Sequence, residues 1–126
     1  MDEESTVGRE FAEALARKDG DRVIELLDPE VDFRGLTPRR AWEAASAQAF
    51  VAEVLPRWFE DSDHVDELTH FDAGGFADRN SITYGFRGHN DDGPFVVEQQ
   101  AYFTERDGRI DWIRVLCSGF RPDPRQ

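Results

Sequence analysis

Glu98, Gln100 and Tyr102 lie two apart in the otherwise apolar run FVVEQQAYF, residues 95–103. That spacing puts a carboxylate, an amide and a phenol on one face of a strand. A carboxylate among apolar neighbours either holds its proton more tightly than usual or is paired. Unpaired, Glu98 is a candidate proton carrier, with Gln100 and Tyr102 as donors to a developing oxyanion. Paired with Arg87, on the neighbouring strand, it would stay ionised and act as a structural tie or a polar anchor for a ligand. Both readings stand at this level.

Other groups extend the list. His70 could be a pocket acid or base, or a partly exposed histidine on an edge strand. Cys117 could be a nucleophile, although no histidine is placed to activate it; such cysteines commonly pack as small hydrophobes. The segment RGLTPRRAWEA gathers Arg34, Arg39, Arg40 and Trp42 in an otherwise acidic chain. Arginines beside an indole can hold a carboxylate or sulfate on an aromatic ligand, and can equally form salt bridges at a helix start. No CxxC, HExxH or Cys/His cluster is present, so neither a metal site nor a cofactor is expected.

The elements that must position these groups follow from periodicity. Val7, Phe11, Ala14 and Leu15 predict a first helix over residues 5–18, with Ser5 or Thr6 as cap. DRVIELL predicts a second, capped by Asp21, and EVDFRGL a short strand. Thr37-Pro38 resembles a helix start and predicts a short helix through Trp42. Ser46 should cap another helix, AQAFVAEVLPRWF, which Pro56 kinks or closes. From residue 63 the period becomes two, and four strands follow, separated by turn signals that include NDDG and Asp107-Gly108. Helices followed by strands imply one α+β domain over residues 1–126, with fraying ends at 1–4 and 121–126.

Composition narrows the function classes. A formal net charge of -12 disfavours nucleic acid and anionic membrane surfaces. No apolar run approaches the roughly 20 residues of a membrane span. The acidic start lacks the pattern of a signal peptide, and one cysteine allows no internal disulfide; a soluble cytoplasmic protein is expected.

KDGDRVIELLDPEVDF near the start and YFTERDGRIDWIRV near the end resemble the nuclear transport factor 2-like superfamily, in its SnoaL-like and ketosteroid-isomerase-like branches. The resemblance implies a cone-shaped, curved antiparallel sheet wrapped around N-terminal helices, enclosing a pocket for a hydrophobic small molecule. It also implies a homodimer formed through the outer sheet face. A two-residue turn at Asp107-Gly108 would set Gln100 opposite Val115 and Tyr102 opposite Ile113. Phe95, Val97, Gln99, Ala101 and Phe103 then share the second face with Trp112 and Leu116.

Laid on the isomerase pattern, Glu98, Gln100 and Tyr102 point inward, and Gln100 falls where that branch carries an oxyanion-stabilising acid. The alternative has them at the dimer interface, since a one-residue slip reverses every assignment. Phe33 falls at the isomerase base position and helix one has no tyrosine, so that machinery is not expected. The Arg-x-Asp spacing of the epoxide hydrolases is also missing. The resemblance therefore implies a small-molecule-binding protein. Either it is a cofactor-independent isomerase, cyclase or dehydratase for a hydrophobic carbonyl compound, or it is a non-catalytic dimerisation module with a self-filled pocket. Arg87, Trp42, Arg34, His70, Phe33 and Cys117 would line that pocket.

Overall fold

The computed structural model describes residues 6–124. Helix α1 (Thr6–Arg17) buries Phe11 and Leu15 completely. Lys18 takes a positive φ of 55° and ends it. Helix α2 (Gly20–Leu26) is capped by Asp19, whose carboxylate accepts from the Arg22 N–H, and not by Asp21. The expected Ser5 or Thr6 cap of α1 lies outside the described side chains.

Strand β1 (Leu27–Thr37) turns directly into β2 (Arg40–Ala44). This corrects the helix expected at Thr37-Pro38. Arg39 has φ 71°, and Phe33↔Ala44 through Thr37↔Arg40 pair as a hairpin. A helix start needs αR residues after the proline, and the left-handed Arg39 reverses the chain instead. Helix α3 runs over Ala47–Ala49, a π-turn at Phe50–Val54, and Leu55–Trp58. Ser46 caps it as expected, accepting from the Ala49 N–H at 3.0 Å. Pro56 has no N–H to donate, and the widened turn just before it, with Leu55 N–H bonded to Phe50 O, lets the helix continue to Trp58.

Strands β3 (His64–Phe76), β4 (Arg79–Asn90), β5 (Gly93–Arg106) and β6 (Arg109–Cys117) form the expected meander. The sheet order is β2-β1-β6-β5-β4-β3, and β1 runs parallel to β6 while the other neighbours are antiparallel. A short β7 (Arg121–Pro122) pairs with Phe95 and Val96 of β5. Asp123 is buried beside it and bonded to Arg87, so residues 121–123 are docked and do not fray. The result is three helices on the concave side of a curved, unclosed seven-stranded sheet. No described helix is long and apolar enough to cross a membrane.

The Asp107-Gly108 turn forms as expected, with φ 55° and 81° and Arg106 opposite Arg109. Beyond it the register departs from expectation. Glu105 pairs with Ile110 but Thr104 pairs with Trp112, leaving Asp111 as an extra residue in β6. This β-bulge moves the rest of β6 by one position. Ala101 therefore opposes Val115, and Phe103 opposes Ile113.

Candidate functional site

One face of β5 is inside and the other is outside. Phe95, Val97, Gln99, Ala101 and Phe103 are each at most 3% exposed. With Ile82, Tyr84 and Phe86 of β4 and Ile113, Val115 and Cys117 of β6 they form the sheet's contribution to the core. Glu98, Gln100 and Tyr102 lie on the opposite, outer face, and the Glu98 side chain is 69% exposed. The inward placement expected for these three residues is corrected. The bulge at Asp111 puts Ile113, Val115 and Cys117 on the face of the odd-numbered residues of β5, so the apolar partners of the core do not accompany Glu98.

Tyr84 and Gln99 are the polar pair of this interior. The Tyr84 hydroxyl donates to Gln99 Oε1 at 2.6 Å, and both side chains are buried. Burial pushes the Tyr84 phenol far above its ordinary titration range, with the neighbouring Cys117 adding to the effect, so it stays neutral. Around the pair, Phe11, Phe33, Phe50, Phe86 and Phe103 are at most 1% exposed. Phe33 packs against Phe50 and Trp58 with ring centroids at 4.7 and 5.6 Å. It is thus a wall of the core, as its apolar character implied, with no acid or base role.

A half-open hollow of about 150 Å³ lies at the rim of this interior, at the mouth formed by β1, β2, α3 and the end of β6. Trp42, Trp58, Phe59 and Phe120 supply its aromatic wall. Thr37, Gln99, Cys117 and Arg57 supply its polar groups. Trp42 Nε1 donates to Thr37 Oγ1 at 2.8 Å, and the Arg40 guanidinium lies 3.8 Å from the Trp42 ring centroid. Trp58 Nε1 is buried with no hydrogen-bond partner among the described residues. An unsatisfied buried donor costs about 1–3 kcal/mol. Cys117 Sγ accepts from the Gly119 N–H at 3.3 Å, and no imidazole lies beside it in this cavity. No carboxylate or histidine among the described residues lines the cavity.

The titratable candidates meet instead on the outside. Glu98, His70 and Arg87 line a hollow of about 510 Å³ on the outer face, partly covered by the docked segment 121–124. His70 Nε2 lies 3.9 Å from Glu98 Oε2, and its Nδ1 is 3.2 Å from Thr69 Oγ1. Gly85, directly opposite Glu98, makes this possible: a Cβ there would come within 2.6 Å of the His70 ring. Arg87 does not pair with Glu98. It binds Glu67 at 3.2 Å and Asp123 at 3.0 Å, because its register partner is Val96 and the two acids reach it from β3 and the tail.

Arg34 also lies on the outer face, in a second hollow with Leu36, Tyr102, Arg114 and Leu116. Of the residues expected to line one pocket, Trp42 and Cys117 reach the interior cavity; Glu98, His70 and Arg87 share an outer hollow, and Arg34 and Tyr102 share another. Gln99 and Tyr84 were missed as site residues. The signal was present: Phe95, Val97, Ala101 and Phe103 share the parity of Gln99 and form the more apolar set of the strand.

No family model matches the chain, and no curated protein matches it. Solved structures do. A candidate isomerase from Bacillus subtilis is similar at 20% identity with a TM-score of 0.71, over 90% of this chain and 84% of that one. A protein from Catenulispora acidiphila, with a ketosteroid isomerase-like fold and solved in complex with trimethylamine, is similar at 15% identity and a TM-score of 0.66, over 89% of this chain and 85% of that one. An LEH-like epoxide hydrolase from M. tuberculosis is similar at 14% identity and a TM-score of 0.64, over 90% and 80%. At these identities the likeness is one of fold.

Proposed function

We propose that this chain, which has the nuclear transport factor 2-like α+β fold, is a non-catalytic, dimer-forming domain whose cone is filled mostly by its own side chains. The observation that carries this reading is the chemistry of the interior. Among the described residues the residual cavity holds neither carboxylate nor imidazole, and its one thiol, Cys117, accepts from the Gly119 N–H with no base beside it. Its volume, about 150 Å³, is below the roughly 300–1,000 Å³ of ordinary ligand pockets. A polycyclic substrate does not fit; a hydrophobic ligand of about one ring does.

The outer face supports the dimer. Leu36 and Leu116 are register partners on β1 and β6, 54% and 56% exposed. Tyr102 continues the patch, with the Phe76 ring 5.4 Å away. Arg34 and Arg114 lie in the same hollow as Glu43, while Glu98 and Glu67 lie further along the face. A two-fold copy can therefore oppose unlike charges around an apolar centre. Sedimentation velocity is the test. The wild type should sediment at twice the chain mass, and Leu116→Arg at the chain mass with an unchanged circular-dichroism spectrum. A monomeric wild type at tens of micromolar would end the dimer reading.

A second reading places acid–base chemistry in the outer hollow. Its support is the His70–Glu98 approach at 3.9 Å. There Glu98 would carry the proton, and a partner subunit would exclude water. Glu98→Gln should then abolish turnover of a small enolisable ketone, followed by solvent deuterium incorporation, while leaving dimerisation intact.

A further inference from the structure

The outer face carries its exposed apolar groups along a diagonal. Register places Arg34, Arg114 and Tyr102 in one row across β1, β6 and β5, and Leu36, Leu116 and Gln100 in the next. Glu98 lies one row further along β5, on the same face. Phe76 of β3, 66% exposed, continues the line beyond Tyr102, with its ring 5.4 Å away. Leu36, Leu116, Tyr102 and Phe76 thus form a stripe that crosses the sheet from β1 to β3. Arg34, Arg114 and Arg79 lie on one side of it, and Glu98, Asp72 and Glu67 on the other.

Most of these charges are committed within the chain. Arg114 holds Asp32, Arg79 holds Asp78, and Glu67 holds Arg87. Arg34 has no ion pair among the described residues, although Glu43 is its register partner. Glu98 has only His70, at 3.9 Å. Arg34 and Glu98 are two strands and two rows apart, about 17 Å by ordinary sheet spacings. Leu116 is on the strand between them and in the row between them, so it marks the midpoint. Two copies of one sheet face meet by rotation about a two-fold axis lying in the interface, and residues on that axis meet their own copies. The line through Leu116 at right angles to the Arg34–Glu98 vector runs along the apolar stripe. Rotation about it packs the stripe on itself and lays Arg34 on the partner subunit's Glu98, twice.

We infer that the outer face is keyed to a second copy of this chain, about the Leu36–Leu116–Tyr102–Phe76 stripe, by reciprocal Arg34–Glu98 contacts that set the register. This rests on the dimer reading above and adds its pairing rule. The work of the charges is selection: a matched copy meets unlike charges, and a slipped or foreign acidic face meets like ones.

Charge reversal tests the rule, with sedimentation velocity on the full chain. Arg34→Glu and Glu98→Arg should each raise the dimer dissociation constant about tenfold or more, because each sets two pairs of like charges face to face. Net charge alone predicts opposite signs for the two, since only Arg34→Glu makes the chain more acidic. Mixing the two variants should restore dimers, and so should combining both changes in one chain. Glu98→Gln keeps an oxygen for the guanidinium and should leave the dimer assembled, as for a solvent-reaching pair. Both side chains are exposed, and an unchanged circular-dichroism spectrum confirms that the variants fold. A wild-type monomer would end the dimer reading and this inference together. A wild-type dimer indifferent to the single reversals, or reversals that neither mixing nor combination repairs, would overturn the pairing and leave the dimer standing.

Discussion

The two faces of β5 are built from alternate residues of one strand, yet they have almost nothing in common. Phe95, Val97, Gln99, Ala101 and Phe103 close an apolar interior whose central polar pair, Tyr84 and Gln99, is neutral and bonded to itself. Val96, Glu98, Gln100 and Tyr102 lie among charged groups that pair at the surface or stand in open hollows. The contrast teaches where function can reside. His70 and Glu98, expected in the pocket, are outside, where water competes for every proton. The small hollow at the mouth of the cone is lined by neither carboxylate nor histidine among the described residues.

Neighbouring substitutions should expose this contrast most strongly at Phe103. Phe103→Ala should cost about 3–5 kcal/mol in urea denaturation, because a fully buried ring leaves a cavity. Gln99→Leu comes next. It strands the Tyr84 hydroxyl in the core and should cost about 1–3 kcal/mol, whereas Gln100→Leu should be near neutral. A comparable loss at residue 100 would mean that the assigned faces are exchanged.

The alkaline limb of stability sharpens the same point. The unfolded chain loses the Tyr84 proton near the ordinary phenol value of about 10, while the folded state keeps it. The unfolded state then binds fewer protons, so stability falls as pH rises beyond that point, by about 1.4 kcal/mol per pH unit. Tyr84→Phe should flatten this limb, and Tyr102→Phe should not. Smallest of all is Glu98→Ala, expected to shift stability by about 0.5 kcal/mol or less, as for a solvent-facing residue. A large change there would place Glu98 in a structural network that the outer face does not show.

Much of the fold was legible because its signals are local. The Ser46 cap, the Asp107-Gly108 turn and the switch to period two at β3 each depend on a few adjacent residues, and each formed where expected. The β1–β2 hairpin was not legible, since Thr37-Pro38 is compatible with a helix start and the reversal rests on a left-handed Arg39. The site was misread for two reasons. Glu98, Gln100 and Tyr102 were placed inward on the isomerase pattern, and strict alternation was carried through β6. In the structure Ile110 and Ile113, three residues apart, are both buried, which the extra residue at Asp111 allows.

Asp111 therefore acts as a phase shifter between the hairpin tip and the body of the sheet. Residues on the two sides of it obey opposite odd-even rules. Removing it would leave Ile110 opposite Glu105 and Trp112 opposite Thr104 in an unbroken ladder, with Ile113, Val115 and Cys117 still inward. An insertion between Trp112 and Ile113 would instead force those three residues toward solvent or demand a second bulge, and so would re-deal a whole strand between oil and water.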